Sequence, residues 1–167
     1  MSDLKSLLNE QLQDLYDAEQ QIVKALPKLV KAASDDELRS AFQEHLEETR
    51  GHVERLERAF EILGKPAETK TCKGIRGILA EGEEGLEKGV SGSLKDALLI
   101  AGAQRVEHYE MAGYGTAAAW ADELGLDDVA DLLGETLDEE EAADSKLSGI
   151  AEGGLVTSGV NESAKAR

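Results

Sequence analysis

Acidic residues and histidines interrupt the apolar stripes of four segments, on the face that should be buried. Glu19 falls in line with Leu8, Leu12, Leu15, Ile22 and Leu26. His45, Glu48 and His52 fall in line with Leu38, Phe42 and Leu56, and Glu107 and Glu110 with Ile100, Ala103 and Tyr114. Glu140 and Asp144 share a face with Val129, Leu133 and Leu147. Carboxylates are almost never fully buried unless they are paired or hold a metal. Inward acids with imidazoles among them therefore point to a cation site. Carboxylates are hard donors, imidazole is borderline, and no set of thiolates accompanies them, which favours iron or manganese. Structural zinc usually takes cysteine, and Cys72 is the one cysteine. Calcium loops hold their acids in a glycine turn, whereas these acids have helical spacing.

Taken singly, these residues have plainer readings. Glu19 could be an acid at the edge of a core with an ion-pair partner, and His45 a core histidine. Of the run Asp138 to Glu141, only one member can point fully inward. His108 follows Glu107 directly and diverges from it by about 100°, so it is expected either exposed or behind a ligand. Coincidence across four segments favours the metal.

The elements that must position these groups are long helices. Apolar residues recur at helical spacing from Asp3 to Ala33, and the pattern continues past Pro27, which implies a bend rather than an end. Ser34 to Glu37 has the form of a capping box for a second helix reaching Leu63, where Gly64 and Pro66 stop it. Residues 65–92 form a long connection. A short helix over Gly74 to Lys88 is expected within it, although four glycines weaken that pattern. Ser93, with Asp96 three residues on, is expected to cap a third long helix ending at Gly125. A fourth runs from Asp127 to Glu152 and stops at Gly153-Gly154. Residues 1–154 then make one domain, and 155–167, small and polar, a flexible tail.

Short joins within each pair of helices make antiparallel hairpins, and the long connection between pairs makes a crossover. This is an all-α fold wired as a ferritin-like four-helix bundle, with a short fifth helix in the crossover. The halves also resemble each other. Tyr16-Asp-Ala-Glu19 parallels Glu107-His-Tyr-Glu110, and Glu48 with His52 parallels Glu140 with Asp144. A pseudo-twofold axis would gather these groups about one midpoint, as two ions with shared carboxylates require.

Composition narrows the function. Of 167 residues, 41% are hydrophobic but only 4% aromatic, so a folded domain with an aliphatic core is expected. A net charge of −17 argues against a phosphate-binding surface and so against nucleic acid. Met1 to Ser6 hold no basic segment followed by an apolar one, so no signal peptide is expected. No apolar run is long enough for a membrane span. One thiol fits a reducing compartment, and the cytoplasm is the expected location.

The segments Ala41 to Thr49, Gln104 to Glu110 with Tyr114-Gly-Thr116, and Glu135 to Glu140 resemble the YciE/YciF-type bacterial proteins, of the ferritin-like, rubrerythrin-related superfamily. The resemblance covers residues 3–152. It implies a ferritin-like bundle, a di-iron centre, a homodimer and a link to stress response. The superfamily pattern takes one Glu from each of two helices and Glu-x-x-His from each of the others. Here the second helix carries His45-x-x-Glu48 and Glu48-x-x-x-His52, and Asp144 stands where a histidine is expected.

The leading reading is a protein with two iron ions per chain, or manganese, that oxidises iron or consumes peroxide. Glu48 and Glu140 are expected to bridge the ions and Glu19 and Glu110 to be terminal ligands. His45, His52, Glu107 and Asp144 would complete the two shells. The alternative is a non-enzymatic stress-associated bundle acting through dimerisation or partner binding. Storage in a cage and protection of DNA fit less well, the latter because of the charge. The sequence names no redox partner.

Overall fold

A computed structural model describes residues 3–154 and 157–165. Its helices are α1 (Leu4–Ala32), α2 (Asp36–Ile62), α3 (Lys73–Glu87), α4 (Ser93–Glu123), α5 (Asp127–Glu152) and α6 (Val160–Lys165). The four long helices and the crossover helix lie where the periodicity places them, and α1 passes through Pro27 without ending. Their ends follow local chemistry. The Asp3 carboxylate accepts from Ser6 N–H at 2.8 Å, and Gly125 supplies the positive φ of 67° that closes α4.

Two expected caps differ. Asp35, not Ser34, caps α2, accepting from Leu38 N–H at 2.9 Å. Asp96 does not cap its own helix, where Gly92 is the cap residue. The Asp96 carboxylate instead accepts from the N–H of Ser34 at 2.7 Å and of Asp35 at 3.1 Å. This contact fixes the topology. The start of α4 lies at the α1–α2 turn, so the crossover has carried the chain back along the whole bundle. Helix α4 is thus antiparallel to α1 and parallel to α2. Helices α1 and α2 pack as one hairpin and α4 and α5 as the other, joined through α1–α4 and α2–α5 faces.

The crossover is pinned around Cys72. Its N–H donates to Asp17 at 2.8 Å, its carbonyl accepts from Gln21 at 3.2 Å, and its sulfur lies 3.1 Å from the Tyr109 hydroxyl. Tyr109 in turn donates to Asp14 at 3.0 Å. Gly74 must be glycine here, because a Cβ would overlap the Tyr109 ring.

The C-terminal segment departs from expectation. Residues 155–156 and 166–167 lie outside the described residues, but within 157–165 a helix forms and packs on α4 and α5. Gly154 N–H donates to Thr157 O at 3.0 Å, which turns the chain back and buries Val160. Within 157–165 Val160 is the single valine among small and polar residues, too little for a periodic signal. The domain therefore includes α6.

The core is divided in two. One apolar cluster contains Ile22, Leu26, Leu38, Phe42, Ile100 and Leu147; the other contains Leu8, Leu15, Leu56, Phe60, Val129 and Leu133. On every long helix the residues between these clusters are polar and buried: Glu19, His45, Thr49, His52, Glu107, Glu110, Thr136 and Glu140. They form a layer across the middle of the bundle.

Candidate metal centre

Each side chain in this layer enters because helical spacing leaves it no other direction. Glu19 stands four residues after Leu15 and three before Ile22, so the stripe that buries those residues also buries its carboxylate. His45 and His52 are two turns apart on α2, and Glu107 and Glu110 one turn apart on α4. Glu140 enters from α5.

The layer contains two overlapping sets of potential ligands. His45, Glu107, Glu110 and Glu140 bring one donor atom each within 4.8 Å of one another, and Glu19, His52 and Glu140 do the same. Glu140 belongs to both, with a different oxygen facing each. Its Oε1 lies 3.0 Å from His52 Nδ1, and its Oε2 lies 3.8 Å from His45 Nε2. Glu107 Oε1 is 3.4 Å from His45 Nε2, and Glu19 Oε1 is 3.3 Å from His52 Nδ1.

Whether this set suits a cation can be tested on its buried polar atoms. Buried polar groups are nearly always hydrogen-bonded. Both oxygens of Glu110 and of Glu140, one each of Glu19 and Glu107, and the inward nitrogens of both histidines make no aligned hydrogen bond, although His52 Nδ1 lies within ion-pair reach of Glu140 and Glu19. All these atoms point into one space. Four carboxylates and two imidazoles would neutralise two divalent ions while offering each a mainly oxygen shell, so the donor set fits hard or borderline metals.

The outward atoms are as well partnered as the inward ones are not. His52 Nε2–H donates to Glu139 at 2.9 Å, and Arg55 grips both oxygens of Glu139 at 2.7 and 2.8 Å. His45 Nδ1–H donates to Glu48 at 3.3 Å. Each imidazole is thereby turned to present its other nitrogen to the centre, as metal-binding histidines commonly are. Tyr114, fully buried, donates a hydrogen bond to Glu19 Oε1.

Proton affinities follow from burial and crowding. Burial, then the neighbouring carboxylates, raises Glu107 and Glu110 well above the ordinary range. Burial also raises Glu19, partly offset by His52. Burial would raise Glu140 too, but the Glu107 carboxyl and the two imidazoles outweigh it and hold it at about 2. Burial would lower His52, yet Glu140 and Glu19 push it up to about 10. Arg55 lowers Glu139, and the His45 ring lowers Glu48.

These directions set the pH dependence of the metal-free protein. Folded Glu107 and Glu110 hold protons that the unfolded chain releases above about pH 4.3. His52 holds one that the unfolded chain releases near pH 6.5, and its contribution is lost as pH rises through about 10. The folded state binds more protons in both cases, so stability falls as pH rises. Urea titrations without metal are expected to show a steady decline from about pH 5 to 10. Saturating metal should reverse that slope, because ligands must shed protons to bind. A metal-free profile that is flat or rises with pH would mean the layer is not charged as described.

Residues 3–164 match the family described as a domain of unknown function, DUF892. The chain belongs to this family. It is 41% identical over 152 residues to Protein YciF of Escherichia coli strain K12, covering 90% of this chain and 92% of YciF. Its fold matches the crystal structure of the E. coli stress protein YciF with a TM-score of 0.89 and 37% identity over the full length of both chains. YcfI from Rhodopseudomonas palustris matches with a TM-score of 0.88 and 43% identity, over 90% of this chain and 96% of that one. A more distant Xanthomonas campestris protein, 21% identical, shares the fold with a TM-score of 0.67.

In this DUF892 chain, six of the eight expected ligands come together: Glu19, His45, His52, Glu107, Glu110 and Glu140. Two do not. The Glu48 side chain is 45% exposed and faces His45 Nδ1 from outside, away from the cluster of buried donors. Asp144 accepts from Gln104 at 3.1 Å and lies 3.2 Å from the largely exposed His108. Glu48 lies about 60° round the helix from His45, at the edge of the same face, and the packing of α2 against α5 leaves it on the solvent side of His45. The expected pairing of Glu48 with Glu140 across a pseudo-twofold axis therefore breaks, since Glu140 is fully buried. The excess of oxygens over the superfamily pattern also disappears. Four Glu and two His remain, as in that pattern, but both imidazoles come from α2 and two carboxylates from α4. Spacing did not single out Glu139, Arg55 or the role of Tyr114. Glu139 sits in a run of four acids that reads as solvated surface.

Among the described residues, no helix is long and apolar enough to cross a membrane.

Proposed function

We propose that this DUF892 chain is a di-iron or di-manganese protein that oxidises ferrous iron or consumes peroxide under stress. The observation that carries this reading is Glu140, fully buried, with one oxygen turned to each of two sets of unpartnered donors. The description of YciF as a stress protein supports the physiological setting. Glu140 would bridge, Glu19 with His52 would hold one ion, and His45, Glu107 and Glu110 the other. Bound iron or manganese supplies one-electron chemistry toward oxygen or peroxide. The chain's own residues hold the donors apart, exclude bulk water with the two apolar clusters, and orient both imidazoles through Glu48 and Glu139. Tyr114 can hold or release a proton at Glu19 Oε1.

The test is metal titration of the purified protein combined with a peroxide-consumption assay. The expected result is a saturable stoichiometry of two ferrous or manganous ions per chain, and turnover only in the loaded protein. Metal binding without turnover would retain the site and discard the reaction. The absence of saturable binding would favour the second reading, a bundle whose protonated layer is structural. The raised proton affinities of Glu107 and Glu110 support that reading, since they let the layer persist without an ion. A homodimer belongs to the same proposal, and sedimentation of the loaded and metal-free protein tests it.

A further inference from the structure

The two ligand sets are not equally open. Glu19, His52, Glu110 and Glu140 are completely inaccessible to solvent, whereas His45 is 6% exposed and Glu107 2%. The same two residues form the floor of a cavity of about 90 Å³ between α2 and α5. Its walls include Ala41, Ala142 and Ala143, which leave room for several waters. Its mouth carries Glu44 and Lys146, an ion pair whose side chains are 61% and 44% exposed. Glu48 also lines it. The larger cavity of about 460 Å³ beneath α3 contains none of the six donors in its lining.

We propose that this cavity is the entry route for the cation, and that the centre fills in order through it. This inference rests on the metal reading above. A divalent ion would meet Glu44 and Glu48 first, then His45 and Glu107, and would occupy the set His45, Glu107, Glu110 and Glu140. Glu19, His52 and Glu140 are all closed to solvent, so the ion of this set would pass through the first, handed across by Glu140. The Glu44–Lys146 pair is the gate. An exposed pair of this kind contributes at most about 1 kcal/mol, so it opens readily. Lys146 repels an approaching cation and Glu44 attracts it, while the acidic exterior raises the local cation concentration.

Two substitutions at the route but outside the ligand set test it. Stopped-flow uptake of Co²⁺, read by its visible absorption, is compared with the equilibrium stoichiometry. Ala143→Leu narrows the route and is expected to slow uptake about tenfold or more, while two ions still bind at equilibrium. Lys146→Ala is expected to speed uptake severalfold and to weaken its salt dependence. In the wild type, uptake should occur in two phases, and blocking should slow both. If the wild type and both variants bind two ions at indistinguishable rates, the route is wrong and the site stands. If Ala143→Leu slows only one of two phases, the second set has its own entrance and ordered filling is overturned. If the wild type shows no saturable Co²⁺ binding, the metal reading itself fails and takes the route with it.

Discussion

Glu140→Gln protein is expected to lose saturable binding of two ions per chain. An amide has one oxygen and one NH₂, so it cannot offer an acceptor to both sides as the carboxylate does. Glu140 is the one residue common to both donor sets, with Oε1 beside His52 and Oε2 beside His45. The wild type should gain about 4 kcal/mol from metal at a thousandfold excess over Kd. For a chain of this size that is about 10 °C in Tm, and Glu140→Gln should lose most of it. Glu48→Gln is the control. Glu48 only steadies His45, so its variant should still bind two ions, with affinity reduced about 10- to 100-fold. Calorimetric titration and thermal melts with and without Mn²⁺ read both results. If Glu140→Gln still binds two ions, Glu140 does not bridge; if both variants lose binding, Glu48 is a ligand beside Glu140, as the spacing predicts.

The second large effect is on the fold. Asp96→Ala is expected to destabilise the protein by about 3 kcal/mol, which lowers Tm by about 10 °C. Asp96 is 2% exposed and accepts two backbone N–H groups from the α1–α2 turn. Hydrogen bonds to a charged group contribute roughly 1.5–3 kcal/mol each. Substitution also removes an acid from the first turn of α4, worth up to about 1 kcal/mol there. Water can reach the exposed Ser34, which limits the loss. Asp96→Asn keeps one acceptor and should cost about half as much. Urea unfolding measures both. A cost below about 1 kcal/mol for the alanine variant would mean the turn is held without this contact.

Asp96 also illustrates what spacing conveys. Ser93 and Asp96 have the separation of a capping box, a local motif, and local motifs are what a sequence displays. The carboxylate instead serves a turn more than sixty residues away. Glu48 and Asp144 stand outside the cluster of buried donors for a related reason. Each lies near the ligand face, within the tolerance of a helical wheel, and the packing of α2 against α5 decides which residues of that arc reach the centre. Glu139 departs in the opposite direction, because its role depends on Arg55 and His52 from another helix.

The sequence by itself determined the four long helices, the crossover helix, the hairpin wiring and six buried donors. Each follows from periodicity or connection length, which act within one helix or between chain neighbours. Only the tertiary structure decided that Glu140 faces both ligand sets, that Glu48 and Glu139 stand behind the imidazoles, and that α6 packs on the bundle. Those facts are distances between helices remote in the chain. They are set by how two apolar clusters pack above and below one polar layer, and no single helix encodes that.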